Sequence, residues 1–348
     1  MNAQGRIPGL MPVCGLCLLL SFLGAVGAEA SPAFDDDAVL EVTLSGPLGS
    51  LLKNAQKKEY LPFTISTGGE PQPVAIRSRG HSRLRVCKFP PLRLKLPEDH
   101  ASHDVFAGLN RVKMVTHCRN TKRGEQDLLK EYAAYRVFNA VTEFSYRVRL
   151  LQIHYMDSDG VFSDAGETYY GFLIEPKEDF AARTGMQPVA REGFPLNRHD
   201  RRSAALMYVT QYLLGNTDWM LLMADYVEEC CHNLDLFELD SQIMTVAYDF
   251  DLAGLVNASY ARPDPKLRIR RVTQRLYRGL CTDRSYLEEA VETVISRQEE
   301  ILEMVQDVPG LEPGNRERAI TYLGKFFEAA ENRQRLLDLF ERRCLDGY

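Results

Sequence analysis

Near the middle of the chain, Gly215-Asn216-Thr217-Asp218-Trp219 is followed by His232-Asn233 and then by Tyr248-Asp249-Phe250-Asp251. An Asp, then an Asn, then an Asp closing an apolar run supplies what phosphoryl transfer needs. One carboxylate sits beside an attacking hydroxyl, and further hard oxygens serve as ligands for Mg²⁺. Asp218 is the candidate for orienting or deprotonating the hydroxyl. Asn233 and Asp249, with Asp251 nearby, are the candidate ligands for Mg²⁺ or Mn²⁺. Singly, these residues have plainer uses, Asp218 capping a helix and Asp249-Phe250-Asp251 capping a turn. Their order is what points to chemistry.

The elements that must carry them follow from hydrophobic period. From Ala38 to Leu96 the chain alternates apolar and polar residues in short runs (39–44, 60–65, 73–79 and 92–96) punctuated by Gly and Pro, which predicts a half-buried antiparallel sheet. Three- and four-residue steps from Asp127 to Val141 predict a helix, and strands are expected at 148–155 and 169–175 with a turn at Asp157-Ser158-Asp159-Gly160. After Glu175-Pro176 the composition shifts to helix formers. Asn197 is the expected cap of a nearly apolar helix ending at Gly215, before Asp218. Leu234–Leu239 and Met244–Tyr248 read as a hairpin around Asp240-Ser241, and 286–305 and 316–343 as long helices. The fold class is therefore α+β. A sheet-rich lobe over residues 38–175 passes through Glu175 into a helix-rich lobe over 176–348, with a cleft between them.

The first lobe offers cations. Leu92, Leu94 and Leu96 take one side of a strand, so Arg93 and Lys95 take the other. Glu131 on the following helix is expected to pair with Lys95 and hold it toward nucleotide phosphates, with Lys113 as the competing lysine. Arg79-Gly80-His81-Ser82 is a turn whose backbone N–H groups suit phosphate. His100 and His103 stand at HxxH spacing inside a polar stretch that reads as an exposed loop. No GxGxxG, GxSxG or Cys-His pattern is present.

Composition narrows the partners. The net charge is −6, and no Lys/Arg run or basic aromatic surface appears, which argues against nucleic acid. Residues 1–30 have the polar start, apolar middle and small-residue ending of a secretory signal peptide, cut after Ala28 or Ala30 and too short and interrupted for an anchor. Residues 31–37, ending in Asp35-Asp36-Asp37, read as a solvated leader. An exported chain, periplasmic or extracellular, permits disulfides. Cys87 with Cys118 and Cys281 with Cys344 are the candidate pairs, while adjacent Cys230 and Cys231 are expected to hold a soft metal or stay reduced.

These segments resemble the spore coat protein H (CotH) kinase-like family, an atypical branch of the protein-kinase-like fold, in its exported bacterial members. The likeness runs from about Val39 past Tyr260. It is carried by Arg79-Gly80-His81-Ser82, Phe89 to Lys95, Lys130-Glu131-Tyr132, Tyr170 to Glu175, and the three central motifs. It implies a two-lobed kinase-like fold, ATP as co-substrate, Mg²⁺ dependence, and transfer of phosphate to Ser/Thr of an envelope or secreted protein. It also implies Asp218 as the catalytic carboxylate, Asn233 and Asp249 as metal ligands, and Glu175 at the hinge beside the base. Two other readings stand beside it. One is an envelope binding or assembly protein that keeps the fold without turnover. The other is a glycoside hydrolase using two of Glu175, Asp218 and Asp249, which calls for aromatic sugar platforms in a chain with one Trp.

Overall fold

Alternating side chains along seven short strands give the first half of the molecule an inside and an outside. In the computed structural model, which describes residues 1–2, 31–97, 105–161, 166–190, 196–222 and 230–347, these strands are β1 (Leu40–Gly46), β2 (Leu61–Ser66), β3 (Gln72–Ser78), β4 (Leu92–Lys95), β5 (Arg111–Val115), β6 (Val148–Asp157) and β7 (Thr168–Ile174). They form a closed barrel in the order β1-β2-β3-β4-β5-β7-β6. All pairings are antiparallel except the seam, where β1 runs parallel to β6 from Leu40↔Leu151 to Gly46↔Asp157. Val42, Leu44, Phe63, Ile65, Ile76, Leu94, Met114 and Ile153 fill the barrel. The alternation predicts a half-buried antiparallel sheet and does not show that it closes; closure leaves no unpaired edge. β5 was not anticipated, because its five residues follow a polar stretch without a clear period.

α1 (Leu48–Lys53) and α2 (Arg83–Val86) are short helices on the barrel connections, and α3 (Lys122–Val141) joins β5 to β6. Thr121 caps α3 by accepting the Gly124 N–H, and the helix is buried on nearly all sides. α4 (Lys177–Thr184) leads to a three-stranded sheet of β8 (Gln187–Pro188), β9 (Leu234–Leu239) and β10 (Gln242–Ala247) in the order β10-β9-β8. The remaining helices are α5 (Arg201–Leu214), α6 (Arg284–Ser296), α7 (Gln298–Gln306), α8 (Pro313–Ala330) and α9 (Arg333–Arg343). One large apolar core joins α3 to this layer through Leu129, Val137 and Phe138 against Leu213, Phe250, Leu323 and Phe340. The fold is thus mixed α+β, and no helix among the described residues is long and apolar enough to cross a membrane.

Several expectations are corrected. The two long C-terminal helices are four, broken at Arg297 and at Asn332, whose side chain caps α9 by accepting the Arg335 N–H. The N-cap of α5 is Asp200, which accepts the Ser203 N–H at 2.7 Å, while Asn197 lies in a preceding 3₁₀ turn. Cys87–Cys118 and Cys281–Cys344 are disulfides as expected, but Cys230 and Cys231 are bonded to each other rather than reduced. Residues 31–37 are not a solvated leader: Ala33 and Phe34 are buried in the barrel core, and Asp35, Asp36 and Asp37 pair with Arg147, Arg149 and Arg136. The aspartates face water and hide, in the sequence, the two apolar residues that anchor the segment. The first-thirty-residue segment and the His100/His103 pair lie outside the described residues.

Burial of Phe34 predicts that Phe34→Ala lowers unfolding stability by about 3 kcal/mol, in the range for a truncated core aromatic. A solvated leader would leave the urea midpoint unchanged, and urea unfolding of the purified protein decides between the two.

Candidate active site

The turn after α5 fixes Asp218. Gly215 adopts the left-handed conformation (φ 62°), where its N–H caps the helix, and an added Cβ would strike the Tyr322 hydroxyl. Asn216 is buried. Its Nδ2 donates to Gln211 Oε1 at 3.0 Å, its Oδ1 accepts the Asp218 N–H at 3.0 Å, and its carbonyl accepts Trp219 Nε1 at 3.1 Å. Trp219 itself is buried against Tyr208. The Asp218 carboxylate stays about one-third exposed, at 34%.

A short ladder then gathers the other two motifs. Met220 and His232 exchange backbone hydrogen bonds, so Asn233 comes to lie beside Asp218. Asn233 Nδ2 donates to the Asp218 carbonyl at 2.7 Å and to Asp218 Oδ2 at 3.0 Å, and His232 Nε2 lies 3.3 Å from Oδ1. The Tyr248 N–H donates to the Asn233 carbonyl at 3.1 Å, extending the β9–β10 hairpin by one step. Asp249 is therefore the next residue after a direct partner of Asn233. Its backbone is left-handed (φ 63°) and its N–H donates to Tyr135 Oη of α3 at 2.9 Å. Phe250 is fully buried, stacked on Phe138 at 5.1 Å and edge-on to Tyr135 at 4.6 Å. That anchor turns Asp249 outward, with a side chain 43% exposed, and Asp251 inward.

One guanidinium serves three carboxylates here. Arg83 of α2 donates from Nε to Asp251 Oδ2 at 2.9 Å and from Nη2 to Glu131 Oε1 at 2.6 Å, and Nη2 lies 3.3 Å from Asp249 Oδ1. Burial works against the Arg83 charge, yet Asp251 and Glu131 overcome it and hold the guanidinium well above its ordinary pKa. Burial raises the pKa of both Glu131 and Asp251, Arg83 opposes the rise, and the neighbouring carboxylates add to it. Asp251 also accepts the Tyr260 hydroxyl at 2.9 Å. Arg83 thus meets three carboxyl groups, of which Asp249 is the most exposed, with Arg79 also near Asp249.

Facing it is a positive wall built by strand register. Arg77, Arg93 and Lys113 stand opposite one another across β3, β4 and β5, an arrangement of like charges that costs stability. Arg93 Nε is buried and has no hydrogen-bond partner among the described residues. Lys113 lies over the Tyr248 ring at 5.0 Å, and burial with the nearby Arg79 lowers its pKa from 10.5 to about 8, opposed by Asp235. Arg79 is shifted down by burial and drawn up by Asp249. Asp235, deep in the hairpin, accepts from Lys177 Nζ at 2.5 Å and Tyr146 Oη at 2.8 Å.

So the structure brings together Asp218, Asn233 and Asp249, and sets Asp251, Glu131 and Arg79 around them. Lys95 is elsewhere. It is exposed and paired in register with Arg111, two residue pairs beyond Arg93 and Lys113, and Glu131 holds Arg83 instead of Lys95. Arg83 was missed because it follows the turn singled out in the sequence, and only the fold points it at Glu131. The Glu175 carboxylate is buried and held by Arg147 Nε at 3.0 Å and by Arg183 Nε at 2.9 Å, a structural clamp with no free oxygen edge for sugar chemistry. The glycoside hydrolase reading is left with only the Asp218/Asp249 pair, and with Trp219 buried it lacks a Trp platform for sugar. Among the described residues no group of three or more His, Cys, Asp or Glu side chains forms a metal cage. The donors at hand, one exposed carboxylate and an amide beside it, suit Mg²⁺, which keeps waters and phosphate oxygens in its shell.

No family model matches the chain, and no curated protein matches it. Among solved structures, the crystal structure of the Helicobacter pylori proinflammatory kinase CtkA is similar over 81% of this chain and 90% of that one, with a TM-score of 0.35 and 11% identity. A likeness that slight carries no argument about the fold or the site.

Arg83→Met should cost about 3–5 kcal/mol, because it strands buried carboxylates without their counter-charge. The sign with pH follows from the raised carboxyl pKa values. An acid whose pKa is higher folded than unfolded favours the fold when protonated, and that contribution is lost as pH rises through the ordinary carboxyl range toward the raised folded value. Urea unfolding at pH 5 and pH 8 should show a larger deficit at pH 8. A deficit independent of pH would remove the charge cluster as its cause.

Proposed function

We propose that this chain is a Mg²⁺-dependent phosphotransferase of protein-kinase-like, two-lobed organisation, with ATP as co-substrate and a Ser/Thr or other hydroxyl as acceptor. What supports it most is the hydrogen bonding of Asn233 to Asp218, with Asp249 one residue past Asn233's ladder partner Tyr248 and Arg79 near Asp249. In this reading the barrel is the phosphate-holding lobe and the helical layer the catalytic one. The three disulfides fit an exported protein.

Bound between Asp249 and Asn233, Mg²⁺ would neutralise charge on the transferring phosphate. Asn233 uses its amide nitrogen on Asp218, which leaves its oxygen for the cation. Asp249, the most exposed carboxylate of the Arg83 cluster, would be the one a cation reaches first. Lys113 and Arg93 supply fixed positive charge for phosphate oxygens, and the unpartnered Arg93 Nε is a donor awaiting an acceptor. Asp218, steadied by Asn233 and His232, would accept the proton of an acceptor hydroxyl.

The non-catalytic binding protein remains the second reading on one observation: Arg83 Nη2 stands where a cation would approach Asp249 Oδ1. Turnover separates the two.

Mg²⁺–nucleotide at a hundredfold excess over its dissociation constant should add about 2.7 kcal/mol of apparent stability. Thermal unfolding should register this in the wild type and lose it in Asp249→Ala. Asp218→Ala should keep the shift and lose transfer of labelled phosphate to protein. The absence of any shift with any nucleotide retires the whole proposal, and a shift without wild-type transfer selects the binding protein. A second measurement uses pH. Lys113 loses its proton near pH 8 in the free protein, and phosphate favours the charged form. Nucleotide affinity should therefore fall as pH rises through about 8, and Lys113→Met should flatten that slope.

A further inference from the structure

After Asp251 the chain leaves the site, crosses the surface as an irregular segment, and comes back. Both ends are tied to the residues described above. At the outgoing end Tyr260 Oη donates to Asp251 Oδ2. At the returning end the Arg278 guanidinium donates to the carbonyl of Thr217, the residue before Asp218. Just before that, Arg275 Nε and Nη2 bond the Tyr212 and Leu213 carbonyls at the end of α5, and its guanidinium lies 4.0 Å over the Tyr322 ring.

Between these anchors residues 262–271 read Arg-Pro-Asp-Pro-Lys-Leu-Arg-Ile-Arg-Arg, five cations and one acid. Leu267 and Ile269 interrupt them, so they escape a search for consecutive basic residues. In the structure Leu267 and Ile269 are partly covered, while Arg262, Lys266, Arg268, Arg270 and Arg271 are exposed. None of the five joins an ion pair among the described residues, although the protein is acidic, at −6 overall. The backbone beneath them is fixed. Asp264 Oδ1 accepts the Lys266 N–H at 2.8 Å, and Gln274 Oε1 accepts the Arg270 N–H at 2.5 Å and the Arg271 N–H at 3.1 Å. A surface that concentrates unpaired like charge on a braced backbone carries a standing repulsion, which an anionic partner relieves.

We infer that residues 262–271 are a docking surface for an acidic polypeptide, and that the acceptor of the proposed transfer is a hydroxyl flanked by Asp or Glu. The acceptor assignment rests on the phosphotransferase reading; the acid-binding surface does not. A peptide is favoured over nucleic acid because the side chains between the cations are Leu and Ile. No aromatic ring stands among them to stack bases, and the acidic remainder of the chain repels a long phosphate polymer. The chain that carries the surface is tied at its flanks, through Tyr260 and Arg278, to Asp251 and to the residue before Asp218.

The test uses the full oxidised protein and two fluorescent peptides, each with one Ser, flanked in one by Glu and in the other by Gln. Anisotropy should show the Glu peptide binding at least about tenfold more tightly, with the difference shrinking as salt is raised. The triple variant Arg268→Glu, Arg270→Glu, Arg271→Glu should abolish the preference while keeping the wild-type melting temperature and nucleotide shift. The matching Gln variant covers the case in which reversal unfolds the chain. Equal binding of the two peptides, or an unchanged preference in the variants, overturns the inference. So does tighter binding of a single-stranded oligonucleotide of the same charge. Selective binding of the Glu peptide without any nucleotide shift in the wild type sustains the surface and overturns only the acceptor assignment.

Discussion

The contact of Arg83 with Glu131, Asp249 and Asp251 joins three separate stretches of chain. Arg83 comes from a barrel connection, Glu131 from the long buried helix, and the two aspartates from the end of the hairpin in the helical layer. Placing a guanidinium among buried carboxylates costs desolvation on both sides, which only close geometry offsets. The arrangement therefore fixes how the barrel sits on the rest of the molecule. It sets three acids around one guanidinium and leaves Asp249 as the acid most open to solvent. Orientation of the two layers and the chemistry of the site depend on the same group.

The neighbouring parts follow from that constraint. Phe250 wedges between Tyr135 and Phe138 and so turns the residues on either side of it in opposite directions, Asp251 to Arg83 and Asp249 to the surface. The Tyr135 hydroxyl meets the Asp249 N–H and holds a left-handed backbone that a non-glycine residue adopts only under constraint. On the other side, strand register rather than any one residue sets the positive wall. Arg93 and Lys113 face each other because β4 and β5 are antiparallel, and neither can move without shifting a strand whose opposite face lies in the barrel core.

Much of this was legible in the residues. Period-two alternation placed β1 to β4, β6 and β7 to within a residue or two, and the three central motifs were recognised as one group before any contact was known. Pairings between distant elements were not legible. Lys95 looked like the partner of Glu131 because it stands on an outward strand face, but so do Arg93 and Lys113, and only the register says which end of β4 meets the helical layer. Arg83 had no signal of its own. The basic return segment was hidden by two aliphatic residues, and Ala33-Phe34 by three aspartates. In each case a local count of charge or hydrophobicity was correct and the conclusion depended on a neighbour far away in the chain.

The parallel seam between β1 and β6 has a consequence for how this molecule comes into being. Leu40 meets Leu151, which lies 111 residues further on (151 less 40), so the ring of strands cannot shut until nearly half the polypeptide has emerged. Until then two sheet edges stand open, with backbone donors and acceptors ready to pair with any passing strand, and the late closure of so large a loop slows productive folding. A fragment ending before residue 151 would not be a smaller version of the barrel. It would be an unclosed ribbon, prone to join its own copies edge to edge.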